Sequence, residues 1–432
     1  MSPRTTLDDR PREAVIDGFT HGGEGVARVD GKAVFVAGAL PGERVVLRVV
    51  DDRKRWARAD LVEVVEPSPD RVTPPCPYVP ACGGCDLQHA SVEAQLRLKT
   101  RVVVEQLTRL GGVDDPPVVD ARSVGPATGY RAQARMHADA DGHLGFHRAG
   151  SDEVVAIDRC LVLTAPAQAL RERVGDDTGA EEVELRVGDR GEVATLSPGP
   201  GPLQLPDGDF DLRLEQPDGT TVAMRGTGAV TMRVAGYDLE VPADAFFQVG
   251  TAAAQALVDT VLAAVGAAPA RGAAPGPSGQ EEVVWDLYAG VGLLSLPLAA
   301  TGRQVLAVEG NPVAAEAAQR NAGAHGLALE VITSPVGPLL GRARRGEDRP
   351  PAPDVVVLDP PRTGAGQRTV DDLVALAPRR IVYVACDVAA LARDTAHLTR
   401  AGYRLTRAEP LDLFPMTHHV EVVASFDAVD DD

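Results

Sequence analysis

Residues 283–299 read VVWDLYAGVGLLSLPLA: an apolar run ending in Asp286 and Leu287, a short turn holding Gly290 and Gly292, then a second apolar run. A strand that enters a helix through a glycine turn brings its backbone close to a ligand without a Cβ in the way. The dinucleotide fingerprint asks for a third glycine, but position 295 is serine, which disfavours a nicotinamide cofactor. Further strand-like runs follow: QVLAVEG (304–310), LEVIT (329–333), DVVVLDPP (354–361), RIVYVAC (380–386) and VEVVASF (420–426), separated by alanine-rich helical stretches. Alternation at this spacing predicts an open, mainly parallel α/β sheet of Rossmann-like type.

The acids around the glycine turn narrow the cofactor. Asp286 closes its strand, where it suits a ligand with an amino-acid end better than a pyrophosphate. Glu309, nineteen residues beyond Gly290, ends the next strand, where a carboxylate accepts both hydroxyls of a ribose. Asp359 ends a later strand, and Pro360 and Pro361 stiffen the chain at the carboxyl edge of the sheet, the side on which open α/β folds bind ligands. This pattern reads as a site for S-adenosylmethionine.

Cys386 follows the strand 380–385 at the same edge, and Glu421 opens the strand that follows His418 and His419. A thiol adds readily to an electron-poor ring, and a carboxylate can remove a proton from it. Beside a methyl donor, the two specify methylation of a pyrimidine carbon. C5 of uracil is too weak a nucleophile until a group adds at C6, so Cys386 would attack C6 and Glu421 would remove the C5 proton. Arg362 or Gln248 is the candidate donor to the O4 that carries the resulting charge. The target base must leave its stack to reach the thiol.

The chain has 432 residues, 44% of them hydrophobic and 24% charged, enough for about three domains. Sixty-two acidic against 43 basic residues give a net charge of −19, which argues against non-specific coating of nucleic acid or anionic membrane. No apolar run reaches the ~20 residues of a membrane span, and the N-terminus lacks the apolar core of a signal peptide. A cytoplasmic protein, monomeric in the absence of any sequence demand for more, is expected. Only Lys32, Lys54 and Lys99 are lysine, so the 40 arginines reflect coding bias. Five cysteines point to metal or catalytic thiols rather than disulfides. Cys76, Cys82 and Cys85 cluster, and with Cys160 they could hold zinc or an iron–sulfur group.

Short alternating runs from Ala14 to Glu66 predict a small barrel of about five strands, and Pro67, Pro69, Pro74 and Pro75 mark a linker. Near the barrel's end Arg53, Lys54, Arg55, Trp56 and Arg58 offer phosphate contacts and a stacking platform, or equally a solvated hairpin face. Leu96, Val103, Leu107 and Leu110 lie at helical spacing within 91–110, a helix placed to pack on the catalytic domain. Residues 130–244 read as mostly antiparallel β structure. The predicted domains are 1–66, an RNA-binding barrel; 67–245, a metal-bearing, RNA-recognition domain; and 246–432, the methyltransferase domain with a flexible insertion at 266–280.

The motifs together resemble the bacterial RNA uracil-5-methyltransferase family across nearly the whole chain. The barrel resembles a TRAM domain. CPYVPACGGCDLQH (76–89) with Cys160 resembles the family's [4Fe-4S] site, which implies Cys76, Cys82, Cys85 and Cys160 as its ligands. AFFQVG (245–250) resembles FFQVN and implies a cofactor contact from Gln248; the resemblance implies the same for Tyr288, Glu309 and Asp359. CDVAALARD (386–394) and FPMTHHVEVV (414–423) match the nucleophile and base motifs. The implied substrate is a uridine of ribosomal or transfer RNA. The chain departs from the family at Asp387 and Val388, where Asn-Pro is usual, at Gly250 and at Leu293. An added carboxylate at 387 is expected to raise the thiol pKa. These changes keep open a methyltransferase acting on another RNA base or atom, or a non-catalytic RNA-binding or assembly protein.

Overall fold

The computed structural model describes residues 9–176, 178–266, 282–347 and 350–429. Strands Arg12–Phe19, Glu24–Val29, Lys32–Ala37, Arg44–Asp52 and Trp56–Glu66 close into a barrel, with the fifth strand lying between the third and fourth. Alternation sends Ile16, Val34, Val36, Val45 and Leu47 into its interior. Glu43 is buried at its base and is held by Arg71 and by the N–H groups of Leu40 and Ser68, which ties the barrel to the proline linker.

The middle of the chain builds a seven-stranded sheet from Gln133–Ala138, Leu144–His147, Val154–Ala156, Ala180–Val187, Glu192–Pro198, Asp211–Glu215 and Thr221–Arg225. It is antiparallel except where Glu192–Pro198 runs parallel to Asp211–Glu215. Helix Ala165–Val174, capped by Thr164, buries Ala167, Leu170 and Val174 in the core of this sheet. A hairpin of Ala229–Val234 and Tyr237–Pro242 leads into the last segment.

That segment carries an eight-stranded sheet in the order Glu330–Thr333, Gln304–Glu309, Val283–Leu287, Val355–Leu358, Arg380–Ala385, Glu421–Ala428, Tyr403–Asp412, Arg122–Ser123. The first five strands are parallel, and Glu421–Ala428 runs antiparallel to both its neighbours. Two strands go beyond the sequence expectation. Tyr403–Asp412 interleaves Arg404, Arg407 and Pro410 with its apolar residues and so lacks a clean alternating pattern, and Arg122–Ser123 is a two-residue edge lent by the middle of the chain.

Helix Val92–Arg109 starts at Ser91, whose hydroxyl accepts from Ala94 N, and packs against helix Val388–Arg400 of the catalytic sheet. Val103 and Leu107 enter the core shared with that sheet, and Val102 is buried as well. Leu110, expected on the buried stripe, is exposed, because the helix has already ended there and its N–H closes onto Gln106 O. Of the insertion expected at 266–280, residues 267–280 lie outside the described residues. Among the described residues, no helix is long and apolar enough to cross a membrane.

Candidate active site

Parallel strands end together, so the residues just past Leu287, Val308, Leu358 and Ala385 share one edge. At the cofactor end of this edge, Asp286 is 1% exposed. Ser295 Oγ donates to its Oδ2, while its Oδ1 is buried with no hydrogen-bond partner among the described residues. Burial, with added repulsion from Glu309, pushes the Asp286 carboxyl up to about 7, against the Ser295 hydrogen bond. The residue that replaces the third glycine thus serves the site as a hydroxyl donor, a role that its fingerprint position alone did not reveal.

The turn itself is strained and open. Tyr288 has φ +67° and Gly290 φ +56°, and a Cβ built on Gly290 would meet nothing within 4 Å. Glu309 accepts from Gly290 N at 2.8 Å and from Asn311 N at 2.6 Å. Each of its oxygens therefore has one lone pair engaged by the backbone and one left for a ribose hydroxyl. Asn311 Nδ2 in turn donates to Asp244 O at 3.2 Å, which ties the AFFQVG segment to this edge. Gln248 is buried there, next to Phe247, whose carbonyl accepts from Gln133 Nε2. The open turn, the two-oxygen acceptor and the unpaired buried atom of Asp286 fit S-adenosylmethionine. Gly250 departs from the family pattern for a steric reason: a Cβ there would stand 2.6 Å from Tyr130 O. Leu293 packs against the core instead of offering a polar contact.

At the other end of the edge, Ala385 pairs with Val422, which sets Cys386 beside Glu421 on the next rung. Cys386 is half-buried and Glu421 is 3% exposed. Burial first, then the charges of Glu421 and Asp359, push the Cys386 thiol up to about 12, with Arg362 opposing. Burial and Asp359 likewise hold the Glu421 carboxyl well above its usual range, again against Arg362, and Asp359 is raised by burial and by Asp286. The electrostatic couplings thus run in a continuous row from Glu309 through Asp286 and Asp359 to Glu421 and Cys386.

The charges that act most on the Cys386 thiol are those of Glu421, Asp359 and Arg362 rather than that of Asp387. The Asp387 carboxylate turns to cap helix Val388–Arg400, accepting from Ala390 N at 2.6 Å. A residue not singled out from sequence, Asp394, holds the loop that carries Arg362: its Oδ2 accepts from Tyr383 Oη at 2.7 Å and from Ala365 N at 2.8 Å.

The four remaining cysteines meet elsewhere. Cys76, Cys82, Cys85 and Cys160 line one cavity of about 100 Å³, with Gln88, Arg131 and Phe146 around them. Gln88 Oε1 accepts from Cys76 N, Gln168 Oε1 accepts from Cys160 N, and Gly84 N donates to Cys82 Sγ. Burial pushes the Cys85 thiol up to about 11 and raises those of Cys82 and Cys160. On the barrel, Arg58 stacks 5.5 Å over Trp56 and also pairs with Glu24, and Arg53 pairs with Asp51. Lys54 and Arg55 are exposed and have no ion-pair partner among the described residues.

A glycine turn, an acid on the next strand and a thiol and a carboxylate on one sheet edge mark a class I methyltransferase fold. The TRAM domain family matches residues 11–62, and the tRNA (Uracil-5-)-methyltransferase family matches residues 352–426. An RNA methyltransferase of Streptomyces avermitilis is 38% identical over 95% of this chain and 97% of its own. The 23S rRNA (uracil(1939)-C(5))-methyltransferase RlmD of Alkalilimnicola ehrlichii is 35% identical over 98% of each chain. The crystal structure of Pyrococcus abyssi tRNA (uracil-54, C5)-methyltransferase, in complex with S-adenosyl-L-homocysteine, superposes with a TM-score of 0.73 at 26% identity over 96% of this chain and 99% of that one. The chain belongs to the RNA uracil-5-methyltransferase family, and it is an S-adenosylmethionine-dependent enzyme with an N-terminal TRAM domain.

Proposed function

We propose that the protein methylates C5 of one uridine in a structured RNA through a covalent adduct between Cys386 and C6, with Glu421 as the base. The observation that carries this reading is the rung that sets a half-buried thiol beside a buried, unbonded carboxylate at the carboxyl edge of the cofactor sheet. Asp286, Gly290, Gly292, Tyr288, Glu309, Asp359 and Gln248 would hold S-adenosylmethionine, which when bound supplies an electrophilic methyl group. Cys386 adds to C6 of the extruded base. Arg362, the cation acting on both Cys386 and Glu421, donates to O4 as charge develops there. After C5 has gained the methyl group, Glu421 takes the C5 proton and the Cys386–C6 bond breaks, restoring the ring and the thiol.

The RNA class is read from likeness. Two RlmD relatives are 33% and 35% identical and the tRNA enzyme is 26%, which favours 23S ribosomal RNA. Domains 1–66 and 67–245 would grip that RNA, with Lys54, Arg55 and the Trp56–Arg58 stack as phosphate and base contacts.

The four cysteines would hold a [4Fe-4S] cluster rather than zinc. Tetrahedral zinc draws four sulfurs to within about 3.8 Å of one another. Among the described residues, the group of three potential ligands found within 4.8 Å of one another is Asp139, Asp141 and His143, not the cysteines. The wider spacing and the cavity between the sulfurs suit a cluster. The deciding experiment supplies unmodified 23S rRNA and tRNA tritiated at uracil C5. SAM-dependent release of tritium to water is expected from the ribosomal RNA and falls to background in Cys386→Ala. Release that survives this substitution would refute the thiol mechanism.

A further inference from the structure

Three loops from distant parts of the sequence meet at His418. The first is the cysteine loop: Asp86, next to Cys85, accepts from His418 N at 2.8 Å through Oδ1 and bonds the His418 ring Nδ1 through Oδ2. The second is the lead-in to the base strand, residues 413–420, which ends one residue before Glu421. It is sewn to the same loop once more, by Leu87 N donating to Met416 O at 2.9 Å, and to helix Val92–Arg109 by Met416 N donating to Gln95 Oε1 at 2.8 Å. Met416 is held there at φ +67°. The third is the barrel turn at Gly23 (φ +81°), where a Cβ would stand 2.9 Å from His418 Cβ and 3.2 Å from Asp86 Oδ2.

Beneath them a buried pair anchors the start of the lead-in. Lys99 Nζ meets Asp412 Oδ1 at 2.5 Å and also donates to Phe414 O at 3.2 Å. The chain is therefore pinned at Asp412, Phe414, Met416 and His418 on its way to Glu421. Glu421 has no side-chain hydrogen bond within the described residues to set its place, so the position of the base depends on the backbone that delivers it.

We propose that Asp86 is a positioning residue for Glu421: by holding His418 it makes the cysteine loop the buttress of the catalytic base, so that the group bound by the four cysteines serves methyl transfer through alignment. The proposal rests on the reading of Glu421 as the base. It predicts a specific defect, because Glu421 acts only after C5 is methylated, when removal of the C5 proton lets the Cys386–C6 bond break. A displaced base leaves that bond intact.

The test compares wild type with Asp86→Ala, Asp86→Asn and Gly23→Ala, each purified anaerobically with iron, sulfide and absorbance near ~400 nm measured. With 23S rRNA and SAM, Asp86→Ala is expected to retain wild-type iron and SAM affinity and to turn over about 10- to 100-fold more slowly, the usual cost of losing an outer-shell partner. It should accumulate an RNA–protein adduct that survives a denaturing gel and depends on Cys386. Asp86→Asn, which keeps the acceptor for His418 N, should recover most of the rate. Gly23→Ala, which strikes the same imidazole from the barrel side and touches no cysteine, should show the adduct with full iron.

Wild-type turnover in Asp86→Ala would overturn the proposal. Loss of iron in parallel with activity would also overturn it, since Asp86 would then serve only the cysteines. If Asp86→Ala fails to fold, Gly23→Ala decides alone: adduct with full iron supports the proposal, and normal turnover refutes it. Failure of wild type to release tritium from any RNA would instead remove the underlying reading of the enzyme.

Discussion

Two buried glutamates in this chain have opposite fates. Glu43, at the foot of the barrel, is fully enclosed and fully paired: Arg71 grips both oxygens, and Leu40 and Ser68 donate backbone N–H groups. Burial alone would raise its carboxyl, but the Arg71 hydrogen bond, the two N–H donors and the Arg71 charge together lower it. Glu421 is almost as enclosed, has no side-chain hydrogen bond within the described residues, and is raised by burial and by Asp359. A protein that can satisfy a buried carboxylate so completely in one place and leaves another unbonded has a use for the second. Glu43 joins two segments; the raised, unbonded carboxyl of Glu421 is what the proposed base requires.

The sharpest way to break this contrast is Glu421→Gln. If the raised carboxyl is the base, turnover falls about 10²- to 10⁴-fold, the range that a positioned general base supplies, while the Cys386–RNA adduct persists on a denaturing gel. Equal losses of adduct and turnover would mean that Glu421 only shapes the pocket. The same variant has a second readout. Glu421 raises the Cys386 thiol by its charge, so removing that charge lowers the thiol pKa. Iodoacetamide should therefore alkylate Cys386 faster in Glu421→Gln than in wild type at the same alkaline pH.

Arg362 tests the other side of the contrast. Glu43 has a dedicated arginine in contact, whereas Arg362 is exposed, makes no hydrogen bond within the described residues, and is shared in its influence between Cys386 and Glu421. If it is reserved for O4, Arg362→Met should cost about 10²- to 10³-fold in kcat, as loss of one oxyanion donor does, with little change in SAM affinity. A defect confined to the KM for RNA would reassign it to backbone binding.

Much of this was legible before any coordinates. The strands that carry Asp286, Glu309, Asp359 and Cys386 are continuous apolar runs, as strands buried on both faces must be, so each acid or thiol at the end of a run marked itself. Tyr403–Asp412 was not legible, because a strand near the sheet edge tolerates Arg404, Arg407 and Pro410 on its way through. The capping role of Asp387, the Asp394 clamp and the Asp86–His418 contact were equally hidden. Each depends on which way a side chain turns or on segments hundreds of residues apart, as with the 332 that separate Asp86 from His418. Sequence spacing located the residues that gather on this edge, and the contacts that support them are tertiary.

The smallest effect separates the two kinds of buried acid by the sign of their pH dependence. Asp286 belongs with Glu421: its folded carboxyl lies at about 7, above the unfolded value near ~3.9. The folded state then binds more protons between those values, so this group subtracts stability as pH rises from about 4 to 7. Glu43 is lowered on folding, so the stability it contributes is present above its unfolded value near ~4.3 and fades as pH falls towards the folded one. Melting temperatures should therefore diverge in opposite senses. Asp286→Asn should gain on wild type by a few degrees between pH 5 and pH 8. Glu43→Gln, which strands Arg71, should fall behind by its largest margin at pH 7 and recover part of it by pH 4. Parallel curves for the two variants would show that Asp286 on the catalytic edge is no more strained than the fully paired acid of the barrel, and would weaken the physical ground for reading Glu421 as a base.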